Sequence, residues 1–337
     1  MNITMAKAGA TSLVLASIVA LSACGGPQTS ANPSTSISAA LRVGVAQIIS
    51  HPSLDAIRNG FENCLADLGH TDVVYDEQNP QGDQAALTSI ANNFTSSDLD
   101  LVVAITTPVA QAMAQAITDR PIVFAGVTDP VAAGLVDSFA KPGSNLTGTS
   151  DYPPIDAQMQ LIRDIKPEVK AIGVVYSSSE VNAEVQLDLA KQAAAKLGLE
   201  VKAAAVTNGS EVQQAAASLA GVDAFYVGND NAVVAAIEGL VQAAEQQKVP
   251  VITADPDSVG RGATASYAVN QTQMGCQAAK MADAILKGAD PVDLAVVKMA
   301  DLADALVLTI NPSAASRQGV TIPESVSSRA GVEVVGD

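Results

Sequence analysis

The residues in this chain with chemistry to offer sit in short polar turns where apolar runs end. In "VVAITTPVAQ", Thr106 and Thr107 close one such run and Pro108 opens an Ala-rich helical one. Thr107 reads as an N-cap and Pro108 suits the first helical turn, so the free N–H groups behind them attract an anion. Thr106 lies one residue nearer the strand and shares the argument; the other reading is an ordinary cap. Ser177, Ser178 and Asn182, in "SSSEVN", occupy the corresponding turn later in the chain. Four acids follow other apolar runs: Asp129 in "VTDP", Asp151 in "TSDY", Asp230 in "GNDN" and Asp255 in "TADP". A carboxylate in such a turn either receives a cationic group or only caps the next helix. Gln47 and His51 edge the exit of the first run, where His51 either touches a ring or decorates the rim.

Other chemistries find no foothold. There is no G-x-S-x-G, no P-loop and no Rossmann glycine triplet. Ser177, Ser178 and Ser179 lack a plausible His partner, since His51 and His70 are the only histidines, so no activated nucleophile can be argued. No C-x-x-C and no Cys/His ligand spacing exists, which speaks against a zinc site. No enzyme activity, metal or cofactor is therefore expected. The net charge of −17, with no Lys/Arg cluster to offset it, argues against nucleic acid and against an electrostatic grip on anionic lipid. Trp is absent and aromatics make up 3% of the chain, so a large aromatic binding face is not expected.

The elements that position these turns alternate in type. "LRVGVAQI" (41–48) reads as a strand and 53–68 as a helix ending in Leu-Gly, a common stop. "DVVYDEQ", a helix over 81–94, a strand over 99–105, a helix over 108–118 and the strand "PIVFAGV" (121–127) follow. The pattern restarts at 170–176. "LDLVVAITTPVAQAMAQAITDRPIVFAG" (99–126) and "VDAFYVGNDNAVVAAIEGLVQAAEQQKVPVITA" (222–254) echo one another as strand, polar turn, Ala-rich helix, Pro, strand. Such alternation predicts α/β lobes, each a doubly wound parallel sheet. "KPGSNLTGTSDYPP" (141–154) has linker chemistry. The expected division is 41–149 plus about 265–300 for the first lobe, and 150–264 plus about 301–330 for the second. In open α/β sheets ligands bind beyond the carboxyl ends of the strands, so two such sheets would face each other across a hinged cleft.

The first 40 residues read differently. An apolar run over 8–23, preceded by Lys7, has the form of a signal peptide covering 1–23. Leu21-Ser22-Ala23-Cys24 resembles the lipobox of bacterial lipoproteins, which implies cleavage before Cys24 and its lipidation, palmitate included. The alternative is ordinary cleavage beside an incidental Cys. Residues 25–40 are rich in Gly, Ser, Thr, Asn and Pro and have little to bury, as suits a tether. Setting Cys24 aside leaves Cys64 and Cys276, inside two expected helices. Outside the cytosol an even pair is either a disulfide or two buried free thiols.

"GVAQIISHPSLDAIRNGF", "QNPQGDQAALTSIANNF", "DLVVAITTPVAQA", "PIVFAGVTDPVAAGLV", "PGSNLTGTSD", "VVYSSSEVNA" and "ITADPDSVGRGATASY" occur in that order. Together they resemble the ABC-transporter substrate-binding lipoproteins related to tryptophan- and tyrosine-uptake receptors, over about residues 41–330. The resemblance implies a type I periplasmic-binding-protein fold with a multi-crossing hinge. It also implies capture of a small solute, an aromatic amino acid in characterised relatives, and delivery to a membrane permease and ATPase. The protein is then an exported monomer held to the membrane by its lipid alone. An amino acid needs donors for its carboxylate and acceptors for its ammonium. The resemblance favours the "TSD" and "GNDN" segments for the latter, with Asn229 and Asn231 beside Asp230. Tyr152 is the one aromatic ring expected at the cleft. If the lobes are of type I, helices 53–68 and 272–287 flank the first sheet together and bring Cys64 and Cys276 near each other. A surface lipoprotein that senses a ligand without transporting it is the alternative.

Overall fold

The computed structural model describes residues 40–336; the signal segment, Cys24 and the tether lie outside the described residues. The first stretch runs β1 (Leu41–Gln47), α1 (Pro52–Asp67), β2 (Val73–Gln78), α2 (Gln84–Ser96), β3 (Leu101–Ile105), α3 (Thr107–Ala116), β4 (Ile122–Ala125) and β5 (Leu146–Ser150). Strands β3 and β4 are buried along their whole length. Their continuous apolar runs, without alternation, are what a sheet covered on both faces demands. Helix α1 buries Leu54, Ile57, Phe61 and Leu65, a three- and four-residue spacing that lays one face on the sheet.

The chain continues through α4 (Ile155–Ile165), β6 (Ala171–Ser177), α5 (Val181–Lys196), β7 (Glu200–Val206), α6 (Val212–Ser218), β8 (Ala224–Val227), α7 (Asn231–Ala235), α8 (Ile237–Gln247), β9 (Val251–Thr253), α9 (Asp257–Gly260) and β10 (Ala265–Val269). It closes with α10 (Gln271–Leu286), β11 (Val297–Lys298), β12 (Leu306–Ile310), α11 (Pro312–Arg317), α12 (Glu324–Ser327) and β13 (Val332–Val334).

Two sheets result, ordered β11-β5-β4-β3-β1-β2 and β13-β12-β10-β9-β8-β6-β7. Every pairing is parallel except β10 with β12, so the second sheet departs from the all-parallel expectation. The chain re-enters that sheet after its excursion through α10 and β11, and comes back in the opposite sense. Strand order reverses beside β1 and β3 in the first sheet and beside β6 and β8 in the second. Those are the switch points where ligand crevices open.

The chain passes between the sheets along 151–154, at Asn270, and along 299–305. Residues 265–269, expected with the first lobe, pair with β9 and β12 in the second sheet. Helix α10 then returns to the first, and Met274, Ala278 and Ala282 join its core. The supposed linker 141–154 contains β5, which pairs with β4 and β11. Its "LTGTS" composition hid it, and the cause is packing. A Cβ at Gly148 would lie 2.0 Å from the Phe124 carbonyl oxygen, so only glycine lets β5 lie against β4.

Helices α1 and α10 touch backbone to backbone. A Cβ on Gly275 would stand 2.0 Å from the Ile57 carbonyl oxygen, and one on Gly60 would stand 2.4 Å from that of Thr272. One turn further along, Cys64 and Cys276 are joined as a disulfide, with Cα atoms 5.0 Å apart. In the second lobe, buried Tyr226 is satisfied by donating to Gln158 Oε1 at 2.7 Å, and Gln158 donates in turn to the Tyr267 carbonyl oxygen.

Candidate ligand-binding cleft

Both switch points face a single, tightly closed pocket. From the first lobe, α1 contributes Leu54 and Ile57 below its cap residue His51, and the β3–α3 turn contributes Thr106 and Thr107. Thr106 rather than Thr107 is the N-cap. Its φ of 90° and ψ of 159° lie in a region that L-residues with a Cβ avoid, and such strain clusters at ligand clamps. Its backbone is held by N–H donation to the Ala125 carbonyl at 2.9 Å and by accepting from Ala110 N–H at 3.0 Å. Its hydroxyl caps nothing: Oγ1 is buried without a partner.

From the crossing after β5 comes Asp151, 7% exposed. Its Oδ2 accepts from Asn229 Nδ2 at 2.7 Å, and its Oδ1 has no partner. Burial pushes this carboxyl up to about 6, against the opposing pull of polar neighbours, Asn229 among them. From the second lobe, Asn182 donates to the Asn229 carbonyl oxygen at 2.8 Å and leaves its own Oδ1 free. Asp230 accepts from Ser177 N–H at 2.5 Å and from Val233 N–H at 3.1 Å. Its carboxyl is pushed up to about 7 by burial first and the nearby Glu180 second. Asp255 accepts from Ser53 Oγ at 2.7 Å and from Ser258 Oγ at 2.5 Å, so its oxygens are committed.

Thr106, Thr107, Asp151, Asn182, Asn229, Asp230, Asn231 and Asp255 thus all line the pocket, as does His51. Gln47 does not: it donates to Asp55 Oδ1 at 2.8 Å and organises the β1–α1 turn. Asp129 accepts from the N–H groups of Val131 and Ala132, the local capping role of an acid in a turn. Ser177 pairs with Ser179, and exposed Ser178 donates to the Val206 carbonyl. The same rule that flagged the strand exits also covers Ser53, Leu54 and Gln271, which line the pocket and escaped notice. So did Glu180, buried at the start of α5 behind the pocket wall, where it accepts from Asn182, Asn231 and the Ala232 N–H. Tyr152 lies away from the pocket, beneath Lys298, whose Nζ is 4.2 Å from the ring centre. The only ring at the pocket wall is the His51 imidazole; its apolar side is aliphatic, from Leu54, Ile57 and Val234.

Three residue pairs bond across the two sides of the cleft: Ser53 to Asp255 at 2.7 Å, Gln186 to Thr128 at 3.3 Å, and Asn229 to Asp151, whose shorter bond is 2.7 Å. A cleft at two facing switch points, holding unpartnered buried donors and acceptors, is built to enclose a small polar solute.

Residues 42–334 match the family model for the ABC transporter substrate binding protein. The chain belongs to that family. A curated relative, the tyrosine-binding protein of Clostridioides difficile (strain R20291), is 40% identical over 261 residues, 76% of each chain. Among solved structures, an ABC domain in complex with L-Trp from Streptococcus pneumonia superposes with a TM-score of 0.83 at 37% identity, covering 88% of this chain and 99% of that one. A ligand-free, open substrate-binding protein with adhesive properties from Clostridium difficile has the same identity and coverage but a TM-score of 0.66. This substrate-binding protein therefore has its lobes arranged more as in the Trp complex than as in the open one, and the bonds across the cleft agree. Its fold is the type I periplasmic-binding-protein fold. As an ABC substrate-binding protein it is extracytoplasmic and serves an ABC transporter with a small-molecule ligand; members of the family are solute-binding proteins, not enzymes. Among the described residues no helix is long and apolar enough to cross a membrane.

Proposed function

We propose that the protein captures an aromatic amino acid, tryptophan or tyrosine, between its lobes and hands it to the permease and ATPase of an importer. The observation that carries this reading is the set of unpartnered atoms in one closed cleft. Asp151 Oδ1 and Asn182 Oδ1 are acceptors without donors, suited to an ammonium. Thr106 Oγ1 and the uncapped start of α3 are donors suited to a carboxylate. Leu54, Ile57 and Val234 offer an apolar wall for the side chain. The kinship with a tyrosine-binding protein and with a Trp complex supports the choice of side chain. Asp129, Gln47, Ser177 and Ser178 shape the surrounding turns in this reading and do not touch the solute. Cys24 carries the lipid, and the receptor works as a monomer tethered through residues 25–40.

Calorimetric titration of the twenty amino acids into protein refolded to remove carried ligand tests the solute. Micromolar or tighter binding of tryptophan, tyrosine or phenylalanine alone is expected, and silence from all three would sink the assignment. The chain has no tryptophan of its own, so a blue shift of indole emission reports bound tryptophan directly. Cys24→Ser is expected to move the protein from the membrane fraction to the soluble one; unchanged membrane retention removes the lipid anchor from the reading.

A further inference from the structure

His51 stands at the N-cap of α1 with an extended backbone, and its side chain makes no capping bond. It is 8% exposed, and neither Nδ1 nor Nε2 has a hydrogen-bond partner. Buried ring nitrogens are rarely left so, because an unmade buried hydrogen bond is costly. The nearest candidates on the opposite lobe are already engaged: Asp255 accepts from Ser53 and Ser258, and Arg261 is bound to Glu238 and to the Val234 and Ala235 carbonyls. The other orphan atoms of the pocket, on Thr106, Asp151 and Asn182, belong to different elements and suit the charged ends of an amino acid. The imidazole instead shares the α1 wall with Leu54 and Ile57, where the proposed side chain lies.

Resting on that reading of the ligand, we propose that His51 is the specificity residue of the cleft: a ring nitrogen accepts a hydrogen bond from an N–H or O–H carried by the aromatic side chain. Desolvation holds the imidazole below its ordinary pKa and prevails over the nearby Asp255 carboxylate. The ring is therefore neutral at pH 7 and keeps one acceptor nitrogen as well as one donor. An indole N–H or a phenol O–H satisfies that acceptor. A benzyl side chain fills the same space and leaves it unpaired, so the site discriminates by the bond that is missing.

Two ligand pairs isolate that bond. Tyrosine and phenylalanine differ by one hydroxyl; tryptophan and 3-benzothienylalanine differ by N–H against S with the shape kept. Calorimetric titration of both pairs into the parent protein, His51→Leu and His51→Gln is the test. The parent should prefer the donor-bearing member of each bound pair by roughly 10- to 100-fold. In His51→Leu that preference should collapse through weaker binding of the donor-bearing ligand alone. Glutamine, which restores an acceptor, should recover part of it. Retained binding of the donorless ligand shows that the variant folds and closes. Equal weakening of both members, or an unchanged preference, overturns the role given to His51 and leaves the aromatic reading standing. A parent protein that binds none of the four overturns the aromatic reading, and this inference with it.

Discussion

Asp151 holds a carboxylate where water does not reach, with one oxygen bonded to Asn229 and the other bonded to nothing. Its raised pKa of about 6 is the mark of that exposure to low dielectric. An ammonium bound there restores the charge partner that burial removes. Replacing Asp151 by Asn keeps an acceptor for Asn229 but abolishes the charge, so affinity for the amino acid should fall at least about 100-fold. Thermal melting of the unliganded variant at pH 7.5 should be no lower than that of the parent, because a buried charge is gone. Unaltered affinity by calorimetry would remove Asp151 from the ammonium site. At this scale the sequence was legible wherever a polar residue followed a strand. It could not say which of those residues would face the cleft. Asp129 and Asp151 look alike in "VTDP" and "TSDY", yet one caps its own turn and the other lies against Asn229, 78 residues away.

Helices α1 and α10 form the element on which the first-lobe wall depends, since His51, Leu54, Ile57 and Gln271 all stand on their opening turns. Their contact is possible because Gly60 and Gly275 let backbone meet backbone. Gly275→Ala should destabilise the protein by about 3 kcal/mol, as overpacking against rigid backbone does. Reduction of the Cys64–Cys276 bond, which closes a long loop, should weaken the same pair by roughly 2–4 kcal/mol. Both are read as shifts of the urea midpoint, and intact mass with and without reductant confirms the redox state compared. A midpoint that moves under neither perturbation would mean the pair does not limit stability. Element prediction from sequence failed at β5, where packing against Phe124 demands glycine and small residues that mimic a linker.

The whole molecule carries acids raised by burial without a buried cation to match, Asp151 and Asp230 in the cleft and half-buried Asp257 outside it. Asp151 and Asp257 stand near 6 and Asp230 near 7, all raised chiefly by burial. Carboxyls raised in the folded state bind more protons there than in the unfolded chain, so their stabilisation is complete below the unfolded value and is lost as pH rises through 6–7. The unliganded protein should therefore melt higher at pH 5 than at pH 8. Amino-acid affinity should move the other way and weaken below pH 6, as Asp151 protonates. Calorimetry and thermal melts across that range read both trends; parallel trends would contradict the charge assignment.

Composition and period decided much of this molecule before any tertiary contact. Continuous apolar runs alternating with amphipathic stretches specify a doubly wound α/β chain, because burial on both faces leaves a strand no polar side. Strand ends flagged the turns that meet at the cleft. The division of strands between sheets was decided only by the fold. Ala265 and Ala278 are the same residue, yet one is buried in the core of the second lobe and the other in the core of the first. The reason is that hydropathy reports how much of a residue must be buried, and not against which partner. Backbone clearance at Gly60 and Gly275, the shared core and the Cys64–Cys276 bond together hold α10 on α1, and with it the wall on which His51 stands.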